Sequence, residues 1–126
     1  MNPVAIVLLV VFAVLAIHFY ADFIYQTPQM AAGKSSKLKW LLIHATTYTA
    51  IFTISIVIWV GLPVWYGLVN GGTHLLIDGV TSKITSRLWH KGEIHLFFVT
   101  VGFDQLLHGA VMLACLYPVL GKLLVF

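Results

Sequence analysis

Three aspartate–histidine pairs stand out because they lie inside otherwise apolar stretches of the sequence. The two members of each pair are four positions apart, in the segments "HFYAD", "HLLID" and "DQLLH". Residues at this spacing lie one turn apart on the same face of an α-helix, so both side chains of a pair point in one direction. The pairs are His18 with Asp22, His74 with Asp78, and Asp104 with His108.

A further histidine, His44, lies in a fourth apolar stretch. Burying one charged side chain at membrane depth costs about 3 kcal/mol on insertion scales, so ionisable residues are rarely tolerated there without a partner. Imidazole and carboxylate groups are ordinary ligands of zinc, and they also suit iron and manganese. We therefore predict that a divalent metal, with zinc as the first choice, neutralises these groups. The predicted ligands are His18, His44, His74, Asp78, Asp104 and His108.

The candidates outnumber the ligands of one tetrahedral zinc, so either two metals are bound or some residues have other roles. Asp22 lies nearest the end of its helix where water would arrive, and we predict that it is a catalytic general base. A structural alternative is that each pair forms only a local salt bridge. The residues predicted to orient the site by hydrogen bonding are Gln26, Tyr48, Asn70 and Gln105.

The elements that would position these residues are apolar helices. Of the 126 residues, 60% are hydrophobic and only 9% are charged, whereas soluble domains carry about 25% charged residues. Proline and glycine breakers predict helices at about 3–26, 37–60, 63–89 and 93–117. Each is long enough to cross a hydrocarbon core of about 30 Å. The predicted fold is all-α, an integral membrane four-helix bundle that forms a single domain over residues 1–126.

The basic residues predict the orientation of this bundle. Six of the seven lysines and arginines belong to the connections between the first and second and between the third and fourth predicted helices. Only Lys122 lies on the other side. The positive-inside rule then places both connections in the cytoplasm and both termini on the non-cytoplasmic side, as expected for a multi-pass protein of the inner membrane. The polar layer would lie roughly 6–20 Å below the cytoplasmic face. Lys83 and Arg87 are placed there to bind an anionic lipid headgroup.

The cysteine count and the net charge limit the covalent links and the partners that the chain can have. Cys115 is the only cysteine, so the chain has no intramolecular disulfide. The net charge of +3 is small and dispersed, so we expect no nucleic-acid partner. The expected partners are membrane lipid and a lipid-like or other amphiphilic substrate, and a homo-oligomer is left open.

Three motifs, taken together, resemble a family of small bacterial and phage membrane proteins. They are "HFYADFIYQTPQMAAGKSSKLKWLLIHATTYT", "THLLIDGVTSK" and "FDQLLHG", and the resemblance covers most of the chain, from about His18 to His108. The family is domain-of-unknown-function family 3307. The resemblance implies a compact polytopic fold and includes the same histidines and aspartates, and it implies no activity. A more distant likeness is to small membrane-bound metal-dependent hydrolases.

These observations favour a metal-dependent hydrolase that acts on a lipid or amphiphile from the cytoplasmic leaflet. A bound metal would lower the pKa of water towards about 7 and so provide a nucleophile. Two alternatives stay open. Intramembrane aspartate and histidine also mark metal-ion or proton transporters and relays, and the chain could be a non-enzymatic membrane protein of phage or bacterial origin.

Overall fold

All regular structure in the described part of the chain is helical, which confirms the predicted all-α class. The computed structural model describes residues 2–123, and this range contains no strand. Two π-helical turns, Tyr20–Ile24 and Ile56–Val60, directly follow the first and third helices. The helices are α1 (Pro3–Phe19), α2 (Pro28–Gly33), α3 (Leu38–Ser55), α4 (Val64–His90) and α5 (Ile94–Leu123).

Local chemistry explains where several helices begin and end. The Oδ1 atom of Asn2 accepts a hydrogen bond of 2.8 Å from the backbone N–H of Val4, and Pro3 occupies the first helical turn. Gly61 and Gly92 have φ angles of 76° and 72°. Such left-handed conformations suit glycine, and here they reverse the chain between α3 and α4 and between α4 and α5.

The observed boundaries differ from the expected ones at two places. The first long helix ends with its π turn at Ile24, so Gln26 lies beyond it, and α2 forms within the following connection. Thr27 explains α2, because its Oγ1 accepts a hydrogen bond of 3.2 Å from the N–H of Met30. At the other end, α5 continues through Pro118 to Leu123. Long apolar helices tolerate an internal proline where neighbouring groups compensate for the missing hydrogen bond.

Neighbouring long helices run antiparallel, as their side-chain contacts show. Tyr66, early in α4, donates a hydrogen bond of 2.9 Å to the carbonyl of Met112, late in α5. Thr81, late in α4, donates one of 2.5 Å to Asp104, early in α5. This arrangement brings the last turns of α4 and the first turns of α5 to the same end of the molecule.

Small residues bring α3 and α4 into close contact. A Cβ atom added at Gly67 would collide with the side chain of Thr53, and one added at Gly71 would collide with that of Thr49. Only glycine allows this approach of two helix backbones. The close packing places His44 of α3 beside His74 of α4. The two glycines of the segment "GLVNG" therefore help to position the site without being part of it.

The distribution of polarity is the reverse of that in a soluble protein. The side chains of His44 and Asp78 are buried, whereas Phe12, Trp59 and Phe98 are 71%, 80% and 63% exposed. Within residues 2–123, three helical segments are long and apolar enough to cross a membrane, namely Pro3–Ile24, Leu38–Val60 and Ile94–Lys122. These features support membrane association. The fourth predicted span corresponds to α4, which is not among these segments and carries polar residues of the site, and it stays a prediction.

The predicted topology can be tested by cysteine accessibility in intact cells. In a Cys115→Ala background, Lys37→Cys and Lys91→Cys should resist an impermeant thiol reagent until the membrane is opened, because positive connections stay in the cytoplasm. Both lysines are exposed, so burial would not mask the label. Trp59→Cys, in the π turn that follows α3 at its far end, is the matched control and should react from outside. Labelling of both lysine positions in intact cells would contradict the topology.

Candidate metal centre

Four buried side chains converge at one point between the π turn after α1, α3 and α4. His44 Nε2 lies 3.2 Å from Asp22 Oδ1 and 3.2 Å from Asp78 Oδ2. It lies 3.1 Å from His74 Nε2. His74 Nε2 in turn lies 3.5 Å from the same Asp22 oxygen and 3.6 Å from the same Asp78 oxygen. We call Asp22, His44, His74 and Asp78 the four-ligand cluster.

The spacing of these atoms fits a tetrahedral divalent cation. Ligands bonded to zinc at about 2.0–2.2 Å in a tetrahedron lie about 3.3–3.6 Å from one another. The five separations that involve a histidine nitrogen of the four-ligand cluster, from 3.1 to 3.6 Å, are close to these edges. Each converging atom is an imidazole nitrogen or a carboxylate oxygen, and each can offer a lone pair. The donor set therefore suits a metal ion, which confirms that a buried His/Asp cluster exists that could hold one.

A second group of potential ligands adjoins the first. Asp22, Asp104 and His108 each offer a ligand atom, and these atoms lie within 4.8 Å of one another. His108 Nε2 is 3.4 Å from Asp104 Oδ2 and 3.1 Å from Asp78 Oδ1. We call Asp22, Asp104 and His108 the cavity-side cluster. Asp22 belongs to both clusters, and Asp78 contacts both through different oxygens.

The structure places His18 beside the clusters rather than within either group. Its Nδ1 lies 2.8 Å from the Tyr48 hydroxyl, and its Nε2 lies 3.1 Å from Gln105 Oε1. The Gln105 oxygen can only accept, so His18 Nε2 donates, and Nδ1 accepts from the tyrosine hydroxyl. Both ring nitrogens are engaged, and the nearest cluster oxygen, on Asp22, is 3.7 Å away. This arrangement favours an orienting role for His18 over the ligand role expected from the sequence.

Of the four residues expected to orient the site, two connect directly to it. Gln105 donates through Nε2 to Asp22 Oδ2 at 3.2 Å and to Asp104 Oδ2 at 3.0 Å. The ring of Tyr48 stacks on His74, with centroids 3.8 Å apart and an interplanar angle of 7°. Gln26 lines the adjacent cavity. The side-chain amide of Asn70 instead donates to the carbonyl of Tyr66 in its own helix, at 2.7 Å.

Lys34 is a site residue that the sequence analysis did not select. It follows α2, and its Nζ atom lies 2.7 Å from Asp78 Oδ2. The capping residues of α2, Thr27 and Pro28, were the available signal that the connection folds back over the bundle. Thr81 was also missed, although its position three residues after Asp78 places it near the same helix face. Its hydroxyl donates to Asp104 Oδ1.

A cavity of about 230 Å³ lies against the cavity-side cluster. Its polar wall includes Asp22, Asp104 and Lys34, and its apolar wall includes Phe23 and Val101. The two residues expected to bind a headgroup, Lys83 and Arg87, are exposed on α4 and do not line this cavity. Lys34 therefore supplies the cationic side chain of the wall.

The contact of Lys34 with Asp78 predicts a stability difference in chelator-treated protein. Lys34→Met should lower the free energy of unfolding by about 2 kcal/mol, because a buried carboxylate loses a charge-assisted hydrogen bond. Lys37→Met, at an exposed lysine three positions away, is the matched control and should change it by less than about 0.5 kcal/mol. Thermal unfolding in detergent provides the measurement. Equal stability of the two variants would show that the Lys34 contact contributes nothing.

Comparison with known proteins agrees with the resemblance seen in the motifs. No curated protein and no solved structure matches the chain. Residues 10–124 match the family described as "Protein of unknown function (DUF3307)". The matched range includes every residue of both clusters, together with His18, Lys34 and Gln105. The chain therefore belongs to this family.

Proposed function

We propose that the protein is a membrane-embedded, metal-dependent hydrolase that acts on a lipid or another amphiphile, with zinc as the first candidate metal. The observation that carries this proposal is the convergence of four buried ligand atoms at tetrahedral spacing beside a polar cavity. A metal site and a water-accessible space next to it are the two components that metal-assisted hydrolysis requires.

In this proposal, His44 Nε2, His74 Nε2, Asp22 Oδ1 and Asp78 Oδ2 hold the ion. The bound metal would act as a Lewis acid and would lower the pKa of water. Gln105 holds Asp22 in place through the other carboxylate oxygen. The position of Asp22 in both clusters supports a ligand role for it in place of the general-base role expected from the sequence.

The lining of the cavity supports an amphiphilic substrate. Its polar wall carries the hydroxyls of Thr81, Ser82 and Thr85 in addition to its charged residues, whereas Phe23, Phe97 and Val101 provide an apolar side. A polar headgroup would occupy the first wall, and the start of a hydrocarbon chain would contact the second. The large apolar side chains exposed on the helices agree with arrival from a bilayer.

Ion or proton transport uses similar residues, but the packing beyond the cluster supports hydrolysis. On the side away from the cavity, Tyr48 stacks on Phe52, and Phe52 packs near Tyr66. Ile56, Met112 and Leu116 are buried in the same apolar core. A transport path through one protomer needs polar groups on both sides of its binding site. Within residues 2–123, the buried groups on this side are mainly apolar.

Metal analysis tests the first half of the proposal. Wild-type protein purified in detergent and reconstituted with zinc should retain metal after dialysis, and His74→Ala should lose most of it, because it removes a buried ligand. His95→Ala is the matched control, since His95 is exposed at the start of α5. Well-folded wild-type protein that retains no zinc, iron or manganese would contradict the proposal and favour a network of salt bridges.

Isotope incorporation tests the second half without knowledge of the bond that is cut. The protein is incubated with vesicles of a total polar lipid extract in water enriched in ¹⁸O, and the products are analysed by mass spectrometry. Hydrolysis should place one solvent oxygen in a product, and His74→Ala should abolish this signal while His95→Ala retains it. If metal-loaded wild type forms no labelled product from any lipid in the extract, lipid hydrolysis is contradicted while metal binding still stands.

A further inference from the structure

We infer that the protein holds a second divalent metal ion at the cavity-side cluster, and that the substrate meets the protein at this second ion. The inference rests on the proposed metal-dependent function, since it adds an ion to the one in the four-ligand cluster. It places one ion in the interior and a second ion nearer the cavity, where the substrate would arrive.

Two carboxylates have the arrangement of bridging ligands. Asp78 directs Oδ2 towards His44 and His74, and it directs Oδ1 towards His108 at 3.1 Å. Asp22 places Oδ1 at the four-ligand cluster and also belongs to the cavity-side cluster. Ions in two-metal sites lie about 3.5–4 Å apart, a distance that carboxylates with one oxygen on each ion readily span. A single-metal site would not need Asp78 to direct its two oxygens at histidines of different clusters.

The cavity meets the two clusters to different extents. Asp22, which both clusters share, and Asp104 line it, whereas His44, His74, Asp78 and His108 do not. The side chain of Asp104 is 14% exposed, compared with 2% for that of Asp78. Structural metal sites are closed by four protein ligands, whereas catalytic sites keep a position open for water or substrate. The four-ligand cluster has four protein ligands and meets the cavity only through Asp22, whereas the cavity-side cluster has three and places Asp104 on the cavity wall as well.

Neighbouring side chains hold the ligands of the open site in position. Thr81 donates to Asp104 Oδ1, which leaves Oδ2 directed at His108. Gln105 donates to both Asp104 and Asp22 and so fixes their relative placement. Hydrogen bonds of this kind orient metal-binding carboxylates and are common around metal sites.

The charge of the loaded site indicates the class of substrate. The carboxylates of Asp22, Asp78 and Asp104 and the ammonium of Lys34 sum to −2, so one divalent ion balances them and a second leaves a surplus of +2. An anionic headgroup, such as a phosphate ester, would balance that surplus. Ser82 lines the cavity with a buried Oγ atom that has no hydrogen-bond partner, and its hydroxyl could donate to such an anion.

Metal stoichiometry and manganese resonance test the second site. Wild-type protein reconstituted with Mn²⁺ should hold roughly two ions per chain and show the exchange-coupled paramagnetic resonance of a two-metal site. Asp104→Asn should hold roughly one ion and show the uncoupled spectrum of an isolated ion, because the four-ligand cluster remains intact. His108→Gln provides a second variant with the same expected result, in case either substitution prevents folding. His95→Ala is the control and should retain both ions.

The outcomes separate this inference from the proposed function. One ion per chain in both wild type and Asp104→Asn would overturn the second site and leave the metal-dependent function standing. Wild type without any ion would contradict the proposed function itself. Inorganic phosphate serves as the anion probe: its ³¹P signal should broaden in the presence of Mn²⁺-loaded wild type and much less with Asp104→Asn. Equal broadening in both would overturn the anionic substrate class.

Discussion

The rest of the structure depends on the neutralisation of the Asp78 carboxylate. This buried group is contacted by His44, His74, His108 and Lys34, which come from α3, α4, α5 and the connection after α2. A buried carboxylate without partners would destabilise the fold by several kcal/mol, roughly the whole margin by which a domain is stable. The helices α3, α4 and α5 therefore meet at the Asp78 carboxylate, where their polar side chains neutralise its charge. The apolar core packs on the side of this cluster away from the cavity.

The same constraint explains features far from the cluster. Gly67 and Gly71 bring α3 against α4, so that His44 reaches His74. The π turn after α1 carries Asp22 into the interior, and wide turns of this kind are frequent at functional sites. The antiparallel contact of α4 with α5 then supplies Asp104 and His108. Each of these features of the backbone or side chains places one or more of the residues that meet at the clusters.

The sequence predicted the helical class and selected most of the histidines and aspartates that the structure brings together, because both depend on local patterns. The spacing of four between aspartate and histidine places both on one face of a helix. Because ionisable residues are rare in apolar segments, those that do occur there are candidates for a functional site. What the sequence could not provide is which atoms meet. His18 and His44 look alike in the sequence, but Gln105, 87 positions away from His18, occupies one nitrogen of the His18 ring. Lys34 was not predicted for a similar reason. Its contact with Asp78 depends on how α2 folds back towards α4.

The polarity of α4 has a consequence for how the protein enters a bilayer. This helix is not among the segments apolar enough to cross a membrane alone, yet it carries His74 and Asp78 and packs between α3 and α5. As a solitary helix it would present a charged group to lipid, at a cost of about 3 kcal/mol on insertion scales. In the predicted four-span topology, its insertion would therefore be coupled to that of its two apolar neighbours. The order in which helices leave the insertion machinery would then matter, because α3 would still have to be close by when α4 emerges.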